Sequence, residues 1–296
     1  MFSNYVIAAI RNMKKRMTTT LIQSLGLAVG LTVFIMAGII ADYEENFDTF
    51  FEKESRIYTI YVEIKPEAGM GIKSIDATYT GMQPLLASDV PEVEKSARML
   101  ISEQLVQAGD AKFYESMRFV DPDFLDILEF DFIHGSAETA LDNPSSVILS
   151  ETMAKKYFDM PNPIGQTFIV DTRHQMQVSG VFADLPLNSH LTTSIMTEGG
   201  FQMVSTTAML ANISEFEMEG GWDHLSGGNL TYILLPEGTD PAHIEKQLEQ
   251  FVDRYLEAEL QELLAGFKLR PLRNMNLYVW ETTGIPALAG LRVLGL

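Results

Sequence analysis

Asp121, Asp123 and Asp126, in the stretch DPDFLD, superficially resemble the carboxylates of a calcium-binding loop. An EF-hand loop that began at Asp121 would also need an acid at position 5, glycine at 6 and glutamate at 12. Here those places hold Leu125, Asp126 and Phe132, so the calcium reading fails. The stretch instead predicts a turn begun by Asp121-Pro122 and a short helix around Phe124 and Leu125 capped by Asp123. The five histidines, His134, His174, His190, His224 and His243, lack the H-x-x-x-H or H-E-x-x-H spacing that holds zinc on one helix face. They are expected to serve as surface or packing residues. HGSAE, from His134 to Glu138, lacks the second glycine of a nucleophile elbow and reads as a turn. There is no G-x-x-x-x-G-K-[ST] to cradle phosphates and no cysteine for thiolate chemistry or disulfides. The chain is therefore expected to be non-enzymatic, with no catalytic, cofactor-binding or metal-binding residues assigned and no cofactor.

The chemistry that stands out is amphiphilic rather than catalytic. The formal net charge is -19, which argues against a nucleic-acid partner. The charge is also uneven: Arg11, Lys14, Lys15 and Arg16 precede residue 17 without a single acid, leaving -23 on the rest. Between Arg16 and Asp42 lie 25 uncharged residues, and about 20 apolar ones suffice to cross a bilayer as a helix. That run exceeds the 7–15 residues of a signal-peptide core, and Ile39-Ile40-Ala41 makes a poor cleavage site, so a retained span over 18–41 is expected. Bases before it and Asp42, Glu44, Glu45 and Asp48 after it place the N-terminus in the cytoplasm and the bulk of the chain outside. Phe2, Tyr5, Val6, Ala9, Ile10 and Met13 recur at helical spacing, which makes 1–17 an amphipathic entry segment. It either lies on the cytoplasmic membrane surface or extends the span.

Beyond the span, RIYTIYVEI (56–64) alternates like a strand, TYTGMQPLLASDV reads as a helix interrupted near Pro84, and VEKSARML as a second strand. LTYILLPEG (230–238) is a strand stopped by Pro236. A helix capped by Asp240 with Pro241 in its first turn follows, burying Ile244, Leu248, Phe251, Val252, Tyr255 and Leu256, and then the strand FKLRPL. The fold class is thus α+β: an N-terminal transmembrane helix, then two β-α-β units (42–103 and 227–273) around an inserted β-rich subdomain (104–226), with a C-terminal tail at 274–296. The insertion holds SSVILSETMAKKYFDMPNPIGQTFIV, with a strand, a helix capped by Ser150, a turn and another strand. The Met-containing segment from Met203 to Met218 is expected to form a mobile or partner-facing loop with a helical middle, although core packing is the commoner use of such residues.

Three stretches carry a family resemblance: AAIRNMKKRMTTTLIQSLGLAVGLTVFIMAGIIADYEENFDTFFEKESRIY, FVDPDFLDILEFDFIHGSAETALDNPSSVILSETMAKKYFDMPNPIGQTFIV and QVSGVFADLPLNSHL. The chain resembles the MacB/FtsX-type permeases of ABC transporters, with a MacB-like periplasmic core domain. The resemblance implies a permease of the bacterial cytoplasmic (inner) membrane, coupling ATP hydrolysis by a separate cytoplasmic ABC ATPase to export or mechanical signalling. The implied partners are that ATPase, other permease helices or a second permease copy, membrane lipid and an envelope partner. Full permeases of this type have at least four spans. The tail ETTGIPALAGLRVLGL cannot form another, so a truncated or split permease is expected. The alternative is a stand-alone membrane-anchored binding or sensor module, whose helix could pair through Gly26-x-x-x-Gly30.

Overall fold

The structure, a computed structural model, describes residues 2–109, 111–193, 200–214, 221–222, 225 and 228–277. It falls into two compact units, residues 1–45 and 46–296.

The first unit is two helices, α1 (Phe2–Lys15) and α2 (Met17–Glu45), separated at Arg16. The entry segment is thus a helix of its own. Tyr5, Val6, Ile10 and Met13 form its exposed apolar arc. At 29 residues α2 rises about 43 Å at ~1.5 Å per residue, enough for the hydrocarbon core and both headgroup layers. It buries none of its side chains against protein, leaving Leu25, Leu27, Val33 and Phe34 exposed. The helix runs four residues past the boundary expected at 41. Charge marks where apolar side chains stop, but the backbone hydrogen-bond ladder continues through Asp42, Glu44 and Glu45.

The second unit holds eleven strands: β1 (Ile57–Ile64), β2 (Ser74–Ile75), β3 (Lys95–Ala108), β4 (Ala111–Val120), β5 (Phe132–His134), β6 (Ser146–Ser150), β7 (Thr167–Val170), β8 (His174–Phe182), β9 (Met203–Thr206), β10 (Leu230–Leu234) and β11 (Leu264–Pro271). Its helices are α3 (Met82–Asp89), α4 (Phe124–Ile127), α5 (Ala137–Ala140), α6 (Glu151–Phe158), α7 (His190–Thr193), α8 (Thr207–Ile213), α9 (Pro241–Tyr255) and α10 (Ala258–Leu263). The sheet begins β11-β1-β10-β3, antiparallel throughout. Counted in chain order, these four strands run 4-1-3-2, the interleaved split β-α-β pattern of ferredoxin-like folds. Helices α3 and α9 share one face, where Met82, Leu86, Ile244, Leu248, Phe251 and Val252 pack on Ile60, Val62 and Ile233. Helix α3 starts at Met82 and is not interrupted at Pro84. Pro84 lies in its first turn, where amide hydrogens have no partner within the helix.

The sheet then continues β3-β4-β9-β6-β8-β5, while β7 bonds both β3 and β8. Strands β3, β4, β9, β6, β8 and β7 therefore close into a ring. Its interior includes Leu100, Val106, Phe119, Val147, Phe168, Val178 and Met203. This region opens with the long β3–β4 hairpin, which pairs from Met99↔Val120 to Ala108↔Ala111, and continues through the short strands β5, β6, β7 and β9. β3 crosses residue 103 unbroken and belongs to both the ring and the four-stranded sheet.

Candidate functional site

The second unit begins with Asn46, and within three residues its chain is fastened. Phe47 and Phe51 are buried in the core. Between them Asp48 adopts a left-handed backbone (φ 55°), which aspartate tolerates better than most residues because its short polar side chain can bond locally. That turn aims the carboxylate inward, where it is 0% exposed.

The groups that receive it come from the connection between β8 and β9. Ser189 Oγ donates to Asp48 Oδ1 (2.7 Å), and the backbone N–H of His190 donates to Oδ2 (3.2 Å). His190 Nδ1 lies 2.8 Å from Oδ2. In return the Asp48 N–H donates to the carbonyl of Asn188 (2.9 Å), and Asn188 Nδ2 donates to the carbonyl of Asn46 (2.6 Å). The other ring nitrogen of His190, Nε2, lies 2.7 Å from the hydroxyl of Tyr232, which is 0% exposed on β10. Burial, and then the negative charge of Asp48, raises the phenol pKa well above its ordinary value, so the hydroxyl keeps its proton. His190 therefore bridges the Asp48 carboxylate and the Tyr232 hydroxyl through its two ring nitrogens. Asn46–Asp48, Asn188–His190 and Tyr232 thus form one buried clasp.

Around it are further buried charges. Arg98 on β3 makes a bidentate pair with Asp121 (Nε–Oδ2 2.8 Å, Nη2–Oδ1 2.9 Å). Its Nη1 donates to the Thr80 carbonyl (2.9 Å), and Thr207 Oγ1 donates to Asp121 (2.8 Å). Arg118 on β4, 1% exposed, donates to the Ser116 carbonyl (3.0 Å), and burial lowers its pKa to about 10. Arg270 pairs with Asp76 (3.2 Å) and lies over the ring of Tyr61. The bidentate Arg98–Asp121 pair, with its further bonds to Thr80 and Thr207, fixes the local geometry.

These placements revise several expectations. His190 is no ordinary packing residue. Asp121 is half of a buried ion pair as well as a turn residue: its carbonyl receives the Phe124 N–H (3.0 Å). Asp123 occupies the cap position of α4, but its side chain makes no cap bond and turns toward Lys95 (3.4 Å), which also binds Asp126. Met203 and Met209 are buried in the ring interior, in β9 and α8. That part of 203–218 therefore packs the core, and Met218 lies outside the described residues. Residues 278–296 of the tail also lie outside them. Among the described residues, no group of three His, Asp or Glu side chains could hold a metal ion.

The clasp was missed because its halves lie some 140 residues apart, although ENFD and NSHL both fall within the stretches that carried the family resemblance.

The fold is similar to two crystallised domains. One is a domain assigned to a permease protein of Porphyromonas gingivalis (TM-score 0.57, 19% identity, covering 75% of this chain and 91% of that one). The other is the periplasmic region of MacB from Actinobacillus actinomycetemcomitans (TM-score 0.53, 14% identity, covering 78% and 95%). Among curated proteins no relative matches. The model of the MacB-like periplasmic core domain matches residues 20–251. With α2 it supports membrane anchoring and an extracytoplasmic domain, and a match over most of its length means that the chain belongs to the MacB-like periplasmic core domain family of ABC transporter permeases.

Proposed function

We propose that the chain is a permease subunit, or the N-terminal portion of one, whose extracytoplasmic core couples ATP hydrolysis by a separate cytoplasmic ATPase to export or to a mechanical signal across the bacterial inner membrane. α1 is its cytoplasmic entry helix and α2 its span. The core divides into two β-α-β units (42–103 and 227–273) and the β-rich insertion at 104–226, with β3 continuous between the first unit and the insertion. The work is mechanical and not catalytic. Further permease helices or a second copy, membrane lipid and an envelope protein complete the list of partners.

The clasp carries this reading. A domain that was merely tethered to a membrane could follow its span through a slack linker. Here the residues just past α2 are bonded to the β8–β9 connection and, through His190, to a central strand. A displacement arriving along the chain at Asn46 reaches β10 through short, buried hydrogen bonds.

The test is recovery of the full chain from its native membranes in mild detergent. An ATP-hydrolysing polypeptide bearing G-x-x-x-x-G-K-[ST] should co-purify. Recovery of the chain with no nucleotide-binding protein would instead favour a stand-alone anchored module.

A further inference from the structure

A groove of about 270 Å³ lies on the outer face of the ring, where β6, β8 and β7 run side by side. It is lined by Asn143, Ser145, Ser146, Thr167, Gln175 and Gln177, together with Met176, whose side chain is buried inside the ring. Cross-strand register makes the arrangement. Thr167 pairs with Gln177, and Gln177 with Ser146, so the three stand in one row, with Gln175 two residues along β8 on the same face. Two of the amides have a fixed orientation. Gln177 Nε2 donates to the Gly165 carbonyl (3.3 Å), which leaves Oε1 to accept. Asn143 Oδ1 accepts from the Ser145 N–H (2.9 Å), which leaves Nδ2 to donate. The hydroxyls of Ser145 and Ser146 can do either.

The lining decides what such a groove can hold. Among the described residues no base lines it to pair with phosphate or carboxylate, and no acid to hold a cation. An extended peptide would need a free strand edge or pockets for apolar side chains. Here β6, β7 and β8 each lie between two other strands. Phe168, Met176 and Val178 turn their side chains into the ring, and Ile169, exposed on the outer face of β7, is not part of the lining. What remains is an uncharged ligand that donates and accepts hydrogen bonds at neighbouring groups, which is the chemistry of sugar hydroxyls. Neighbouring strands are about 4.8 Å apart, comparable to the span of one pyranose ring. The volume falls just short of the roughly 300–1,000 Å³ of drug-sized sites, which suits one unit of a longer chain. We propose that this groove binds one sugar unit of a neutral glycan chain.

The full chain would be placed in phosphatidylcholine nanodiscs, free of sugar-based detergent, and titrated with cellohexaose, chitohexaose and glucose under saturation-transfer NMR. Transfer to at least one hexasaccharide, stronger than to glucose, is the expected result. Gln177→Leu removes the acceptor at similar side-chain volume, and Asn143→Asp removes the donor while keeping the oxygen that holds the Ser145 N–H. Each should weaken binding about fivefold, as the loss of one hydrogen bond does. Both side chains are exposed, and circular dichroism matching wild type would show the fold intact. Absence of transfer to every sugar at millimolar concentration, or transfer that both variants leave unchanged, overturns the site. Transfer to glucose equal to that of the hexasaccharides overturns the chain in favour of a free sugar. Equal binding of an uncharged hexapeptide of serine and asparagine overturns the glycan in favour of a peptide.

Discussion

Asp48 is a fully buried carboxylate whose neighbours are all donors, and that asymmetry decides what its removal does. Asp48→Ala would leave the Ser189 hydroxyl, the His190 N–H and the imidazole without an acceptor, in a place water does not reach. Each buried donor left unsatisfied costs about 1–3 kcal/mol, and here several are left at once. Tyr232→Phe keeps the ring and its edge-on contact with Phe124 but removes the hydroxyl partner of His190 Nε2, at a cost of about 1–3 kcal/mol. Urea unfolding of the detergent-solubilised chain, followed by circular dichroism, should rank Asp48→Ala below Tyr232→Phe and both below wild type. Equal stabilities would mean that the clasp bonds are not formed. Neither Asp48 nor His190 declares this role in the sequence. A buried acid and its acceptors are recognisable only as a set, and this set is assembled by tertiary contact.

At the scale of elements, features decided by neighbouring residues were legible. Ser150 accepts from the Met153 N–H (3.2 Å) and opens α6, and Asp240 accepts from the Ala242 N–H (3.0 Å) ahead of α9. β1 also forms where alternation indicated, and β6, β7 and β11 form in stretches read as strands. Helix α10 was not legible, because its polar stretch AELQEL has a short length and few apolar residues to mark a face. Ring closure was hidden too, since β7 meets β3 through Val106↔Val170, a pairing no local pattern encodes. A second group of bonds at the start of α6 makes a pH prediction. Burial works against the Asp184 carboxylate, but hydrogen bonds from the Thr152 hydroxyl and backbone and from Ser150 outweigh it, holding its pKa below the ordinary value of 3.8. A folded-state pKa below the unfolded one contributes stability above the unfolded value, and this is lost as pH falls through the folded one. Wild type should therefore unfold at higher urea than Asp184→Ala at pH 6, with the difference shrinking once pH drops below 3.8. A difference that persisted unchanged in acid would rule out this account.

For the whole molecule, the proposed sidedness rests on the bases before α2 and the acids after it. Met13→Cys on α1 should resist a membrane-impermeant maleimide in spheroplasts until they are lysed, whereas Tyr114→Cys should react at once. Reaction of both before lysis would contradict the assigned orientation. The broad architecture was legible because charge asymmetry and an uninterrupted apolar run survive averaging over many residues. The interleaving of the two β-α-β units was not, since each unit looks self-contained along the chain and the strand that fills its gap belongs to the other.

That interleaving also governs when the domain can come into being. β10 lies between β1 and β3, pairing Leu234 with both Ile57 and Lys95. Until residue 230 has been synthesised, β1 and β3 have no common neighbour, and their facing edges are open to any extended chain. At 5–20 residues per second, the ribosome needs about 6–24 s to travel from the end of β3 to the start of β10. The nascent core therefore crosses the membrane as an unclosed, slow-folding chain of high contact order. Those two edges stay unpaired until β10 arrives to join them.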